Sequence, residues 1–89
     1  MEVSYRKLFL KDLKRLKKQY IYKQIYDLAF KDLPKAKDLR DITGAKPMRS
    51  PLKRYRIRIG DYRVGIEVNG KNIEVLRALH RREFYQYFP

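Results

Sequence analysis

Apolar residues recur every three or four positions from about Lys7 to Lys18. Leu10, Leu13 and Leu16, with Phe9 beside them, alternate there with Lys11, Lys14, Lys17 and Lys18. That spacing predicts an amphipathic helix. A second helix is expected from about Tyr20 to Leu33, because Ile21, Ile25, Leu28 and Ala29 share a stripe and Pro34 supplies a stop. Tyr22 and Tyr26 would lie one turn apart on it as packing aromatics. Ahead of both helices, the alternation of Val3 and Tyr5 suggests a short strand over Glu2 to Arg6. Behind them, "PKAKDLRDITGAKPMRSP" mixes charge with Gly44 and prolines from Pro34 to Pro51. It reads as a surface loop holding one helical turn at Lys37 to Ile42.

From Arg54 onward the period changes to two. Strands are expected at about Arg54 to Ile59, Tyr62 to Val68 and Asn72 to Leu79, joined by Gly60-Asp61 and by the Asn69-Gly70 hairpin signal. With Gly60 and Asp61 as the turn, Ile59 faces Tyr62, Ile57 faces Val64 and Tyr55 faces Ile66, which gives one apolar face for the helices to cover. On the other face Arg58 stands opposite Arg63, Arg56 opposite Gly65 and Arg54 opposite Glu67. Opposed like charges destabilise a sheet, so the pairing of Arg58 with Arg63, beside a glycine, suggests a cationic hollow kept for an anion. The plainer alternative is that long side chains simply cover an exposed sheet face. The class is α+β: a short N-terminal strand, two helices on an otherwise antiparallel three-stranded sheet, and a short C-terminal helix.

Composition narrows the chemistry. The chain has 89 residues, 44% of them hydrophobic, which suits a single domain over residues 1–89. Lysine and arginine number 23 against 10 acidic residues, for a formal charge of +13. Such a field favours a polyanion, nucleic acid or an acidic protein. With no cysteine and only His80, neither a disulfide framework nor a thiolate or histidine metal site is expected. No membrane is implied, because no apolar run is long enough to span one and the first ten residues carry Glu2, Arg6 and Lys7. A cytoplasmic location follows as the expectation.

The C-terminal "ALHRREFYQYFP" places His80, Arg81 and Arg82 directly after the last strand, with Tyr85 one helical turn beyond Arg81. Arginine suits phosphate because its planar fork makes two charge-assisted hydrogen bonds and keeps its proton. Tyrosine can stack on a base and present a phenol. Each residue alone also has an ordinary structural role open to it: Tyr85 as a packing aromatic, Arg82 as a solvated charge, His80 as a structural imidazole.

The element order, with "YRIRIGDYRVGIEV" at Tyr55 to Val68 and "VLRALHRREFY" at Val75 to Tyr85, resembles the RelE/ParE superfamily of toxin–antitoxin toxins. The likeness is strong in the C-terminal half and architectural in Met1 to Lys46. It implies a RelE-like, microbial-ribonuclease-type fold. For the RelE branch it further implies cleavage of mRNA in the ribosomal A site, and for the ParE branch, inhibition of DNA gyrase. By motif, Arg56 and Arg58 match the family's two basic residues before the turn, Arg63 the arginine after it, Arg81 the terminal arginine, and Tyr85 the tyrosine that follows. The strand residues are often lysines in the family and are arginines here, which retains phosphate binding but removes a donor able to protonate a leaving group.

The resemblance thus implies metal-free transesterification without a cofactor, in which the RNA 2′-hydroxyl attacks its own phosphate. Arg63, Arg81 and Tyr85 are the expected catalytic residues, with the arginines stabilising the transition state and Tyr85 stacking or acting as base. RNA-binding residues would be Arg54, Arg56, Arg58, His80 and Arg82, with His80 the rival base. Expected partners are an acidic cognate antitoxin, the ribosome with its rRNA, and mRNA, the chain being a monomer or part of a toxin–antitoxin hetero-oligomer. A gyrase inhibitor and a non-catalytic basic RNA-binding module are the alternatives.

Overall fold

The computed structural model describes residues 1–88. β1 (Glu2–Tyr5) leads into α1 (Lys7–Arg15), and α2 (Ile21–Asp27) runs through a π-helical turn (Leu28–Asp32) into α3 (Leu33–Lys35). A 3-10 turn (Leu39–Asp41) and β2 (Ala45–Pro47) precede β3 (Arg54–Ile59), β4 (Tyr62–Asn69), β5 (Asn72–His80) and α4 (Arg81–Tyr87). The architecture is α+β, with a five-stranded sheet in the order β1-β5-β4-β3-β2. Among the described residues only β1 runs parallel to its neighbour, β5.

Three local details differ from the reading of the sequence. β2 lies in the stretch read as loop, and pairs Ala45, Lys46 and Pro47 with Ile57, Arg56 and Tyr55. Three residues show no alternation, and Pro47, lacking an N–H, fits only an edge strand such as this one. The second hairpin turns at Gly70 and Lys71 rather than Asn69 and Gly70, because Asn69 still pairs with Asn72; Gly70 supplies the positive φ, 61°, that the turn needs.

Pro34, the third case, does not stop the second helix. A proline ring collides with the carbonyl four residues back. Here the helix widens by one turn instead: the Leu33 N–H donates to the Leu28 carbonyl, five residues back, and the helix continues to Lys35. Pro34, five residues after Ala29, has no N–H to offer that carbonyl, and the Tyr5 hydroxyl donates to it at 2.7 Å.

The core lies between the helices and the face of the sheet formed by Ile57, Val64, Ile66, Ile73 and Val75, with Phe9, Leu13, Ile21, Ile25, Leu28 and Leu33 facing them. Burying one such side chain contributes about 1.5–3 kcal/mol. Tyr22, Tyr26, Phe30 and Tyr5 form an aromatic file along its rim, with successive ring centroids 6.0, 4.7 and 4.4 Å apart. Beyond Tyr5 the chain leaves the sheet, so β5 has no β1 partner after Val75. Asp12 of α1 takes over there, accepting the Ala78 N–H at 3.1 Å and both Nε and Nη2 of Arg77 at 2.7 and 3.0 Å. No helix among the described residues is long and apolar enough to cross a membrane.

Candidate functional site

The β3–β4 register pairs Arg54 with Glu67, Arg56 with Gly65 and Arg58 with Arg63, as the alternation predicts. Paired residues share a face, so the row continues on both sides: Lys46 stands beside Arg56, and Arg77 beside Gly65. Gly65, however, does not leave a hollow for an anion. α4 lies over this face and seats the fully buried Phe84 on the glycine; a Cβ there would stand 3.2 Å from Phe84 Cε1 and 3.5 Å from Phe88 Cε2. The absent side chain makes room for an aromatic ring.

α4 meets the sheet through cations. The Arg54 guanidinium lies 5.8 Å from the Phe88 ring centroid, Arg56 lies 5.7 Å from Tyr85, and Arg77 lies 4.8 Å from Tyr87. Two of these arginines are neutralised by carboxylates: Arg54 Nε is 3.0 Å from Glu67, and Arg77 is forked onto Asp12. Hydrogen bonding to Asp12 raises the Arg77 pKa above the ordinary guanidinium range. Arg56 has no carboxylate partner among the described residues and donates instead to the Tyr85 phenol oxygen at 3.1 Å.

Arg63 is placed differently from the clamp expected of it. It is 8% exposed, and its Nη1 donates at 2.9 Å to the carbonyls of Gly60 and Tyr62, so it braces the β3–β4 turn from beneath. That arrangement also explains how Arg58 and Arg63 tolerate direct opposition: Arg58 points into solvent while Arg63 is folded onto carbonyl dipoles. His80 is the N-cap of α4, its Nδ1 accepting the Arg82 N–H at 3.3 Å and its ring edge-on to Tyr62. The Arg81 N–H donates to the Asp61 carbonyl at 2.8 Å, which anchors the start of α4 at the same turn. Arg81 and Arg82 are exposed, and Tyr85 is 43% exposed.

The structure therefore brings Arg56 and Tyr85 into contact, sets Arg58, Arg81 and Arg82 near the turn as exposed cations, and turns Arg54, Arg63 and His80 toward internal partners. Two participants were not singled out in the sequence. Lys46 belongs to a strand too short to show a pattern, and Arg77 has a partner, Asp12, that lies 65 residues away. No group of three or more His, Cys, Asp or Glu side chains among the described residues is placed to hold a metal ion. A groove of about 730 Å³ lies between α2 and β3, lined by Asp27, Asp32, Asp41, Ile57 and Arg58 among others; Tyr85 does not line it.

A family model described as the ParE toxin of type II toxin–antitoxin systems (parDE) matches residues 3–85. Toxin RelE3 of Methanocaldococcus jannaschii is 41% identical over 90 residues, covering 100% of both chains. The toxin–antitoxin complex RelB-RelE from Methanococcus jannaschii contains a chain of TM-score 0.80 and 38% identity, with 97% of this chain and 99% of that one covered. The RelBE2 complex from Mycobacterium tuberculosis gives TM-score 0.68 at 25% identity, over 90% of each chain. With the family matched over nearly its whole length and the register of its arginine hairpin in place, the chain belongs to the RelE/ParE superfamily and is a toxin of a type II toxin–antitoxin system.

Proposed function

We propose that the protein is a ribosome-dependent endoribonuclease that cleaves mRNA in the A site and so inhibits translation. The observation that carries this reading is the Tyr85 phenol held 3.1 Å from Arg56, a cation with no carboxylate partner among the described residues, at the edge of a cationic face. In the reaction the RNA 2′-oxygen attacks the adjacent phosphorus; its proton passes to the Tyr85 oxygen as the phenol releases its own proton to solvent. The bond from phosphorus to the 5′-oxygen breaks, leaving a 2′,3′-cyclic phosphate and a 5′-hydroxyl that takes its proton from solvent, since a guanidinium does not release one. Arg56, Arg58 and Arg81 stabilise the charge that gathers on the phosphate oxygens, the largest contribution in catalysis of this type. Arg63, with Nη1 occupied, offers only its remaining N–H groups and chiefly shapes the turn. His80 ranks below Tyr85 as base because its Nδ1 is engaged in capping α4.

A protein antitoxin is the expected neutraliser, since the M. jannaschii and M. tuberculosis relatives were solved as toxin–antitoxin complexes. An acidic, partly disordered segment that folds on binding would match a surface of charge +13. We take residues 1–89 as one domain. The ParE description of the matching family favours one second reading, inhibition of DNA gyrase.

Incubating the pure protein with programmed ribosomes, and in parallel with gyrase and supercoiled DNA, separates the two. Cleavage of ribosome-bound mRNA is expected, slowed strongly by Tyr85→Phe with ribosome affinity near wild type, and little changed by His80→Ala. Intact mRNA together with blocked supercoiling would replace the nuclease reading with the gyrase one.

A further inference from the structure

α4 has only seven residues, too few to be stable alone, so its orientation comes from what it touches. Its fully buried anchor is Phe84 on Gly65. Phe84, with the half-buried Phe88 stacked on it at 4.7 Å, fixes the depth of the helix, and contacts on its flanks set its roll about the long axis. At 100° per residue, Tyr85 and Tyr87 project on opposite flanks of Phe84. Each flank is held by one arginine, and the two grips differ. On the Tyr85 flank, Arg56 makes one exposed hydrogen bond and a ring contact at 5.7 Å. On the Tyr87 flank, Arg77 stacks at 4.8 Å, and its guanidinium is forked onto the buried Asp12, which accepts a third bond from the Ala78 backbone. Asp12 belongs to α1 and its carboxylate is 3% exposed, so the grip ties α4 to α1 around the edge of β5 that β1 leaves free.

We propose that Arg77, immobilised by Asp12 and stacked on Tyr87, is a positioning residue that sets the roll of α4 and thereby holds the Tyr85 phenol at Arg56. Arg77 itself faces Asp12 and Tyr87 and is nearly covered, so it acts through α4 rather than on RNA. The consequence for turnover rests on the nuclease reading; the geometric claim does not. A reacting group displaced by about 1 Å can lose on the order of 100-fold in rate, so a roll of the helix is enough to matter.

Tyr87 is the position at which to test this, because it is 58% exposed and its loss leaves the core untouched. Nuclear Overhauser contacts between the Tyr85 ring and the Arg56 side chain report the geometry without reference to activity, and single-turnover cleavage at saturating ribosomes reports the chemistry. Tyr87→Leu, which keeps bulk but removes the aromatic face, should lose those contacts and slow cleavage roughly tenfold or more. Ribosome affinity should stay within about twofold, because the exposed cations remain. Tyr87→Phe, which keeps the ring, should restore both readouts. Arg77→Lys, which keeps the charge but neither the fork nor the planar face, should behave like Tyr87→Leu. Contacts that persist in Tyr87→Leu, or a rate unchanged when they are lost, would overturn the proposal. A wild-type protein that cleaves nothing, with contacts still lost in Tyr87→Leu, would overturn the nuclease reading alone and uphold the positioning role.

Discussion

Along β3, Tyr55, Ile57 and Ile59 turn to one side of the sheet and Arg54, Arg56 and Arg58 to the other, and the two sides are closed by different chemistry. Toward α1 and α2 the closure is aliphatic and continuous, with Phe9, Ile25, Leu33, Ile57, Val64 and Val75 fully buried. Toward α4 it rests on Phe84 seated on a glycine, with the buried Leu79 beside Arg63 on the same face, and on three aromatic rings lying against guanidinium groups. Hydrophobic burial on the first side is non-directional and cooperative. Contacts on the second are few and oriented, so that side can hold a site in place without carrying the stability of the whole chain. The arginines divide accordingly: Arg54, Arg63 and Arg77 are held by carboxylates or carbonyls, while Arg56 has only the Tyr85 phenol and Arg58 is exposed.

The sharpest way to break this comparison is to empty each side in turn. Phe9→Ala should cost about 3–5 kcal/mol and shift the urea midpoint of the whole chain. Phe84→Ala, although an equally buried ring is removed, should expose the amides of α4 to hydrogen exchange while those of β4 and β5 away from it stay protected. Uniform loss of protection in Phe84→Ala would mean that the two sides form one cooperative unit. A gentler change, Gly65→Ala, forces a methyl group against Phe84 and should cost about 1–3 kcal/mol while lowering activity, read from paired melting and cleavage curves.

Smaller effects sharpen the division among the arginines. Arg56→Ala should reduce the dependence of RNA affinity on log salt by about one unit, as loss of one phosphate contact does, whereas Arg54→Ala should leave that slope unchanged. Equal slopes for the two variants would place both or neither on the nucleic acid. Tyr5→Phe should give the smallest effect, about 0.5–1.5 kcal/mol, from the lost bond to the Ala29 carbonyl. Burial, with Tyr26 as a lesser influence, raises the Tyr5 pKa above the usual phenol value. The associated stability is present in full below that usual value and disappears as pH rises through the higher folded one. Alkaline unfolding curves of Tyr5→Phe should therefore lack this component.

The hairpin from Arg54 to Asn69 was legible because everything that determines it is local: alternation, a two-residue Gly60-Asp61 turn and a cross-strand register that follows from the turn length. Even the partnership of Arg54 with Glu67 can be read there. What Gly65 is for could not be read, since the ring it accommodates comes from Phe84 in another element. Arg63 carries no local sign that it will fold under its own turn. Pro34 shows the limit of a propensity rule: the helix survives by widening, with a tyrosine from β1 serving the carbonyl that the proline cannot. The residue types of the candidate site were thus apparent, but not that Arg63 is spent on the carbonyls of its own turn or that Arg77 is held by Asp12, 65 residues away.

The parallel pairing of β1 with β5 also governs the order in which the molecule can be assembled. Glu2 pairs with Asn72 and Tyr5 with Val75, and Asp12 meets Arg77 across 65 residues. Such contacts close the longest loops in the chain, and loop closure makes them slow to form and late to be rewarded. During synthesis the first strand and helix emerge early, yet they have no sheet to join until β5 exists. Only then can Asp12 grip Arg77, and only after β5 does the chain reach the residues of α4. The cationic, tyrosine-bearing α4 is therefore made only after the strands it packs on, and a chain that stops short of it carries most of its charge without the Arg56–Tyr85 contact.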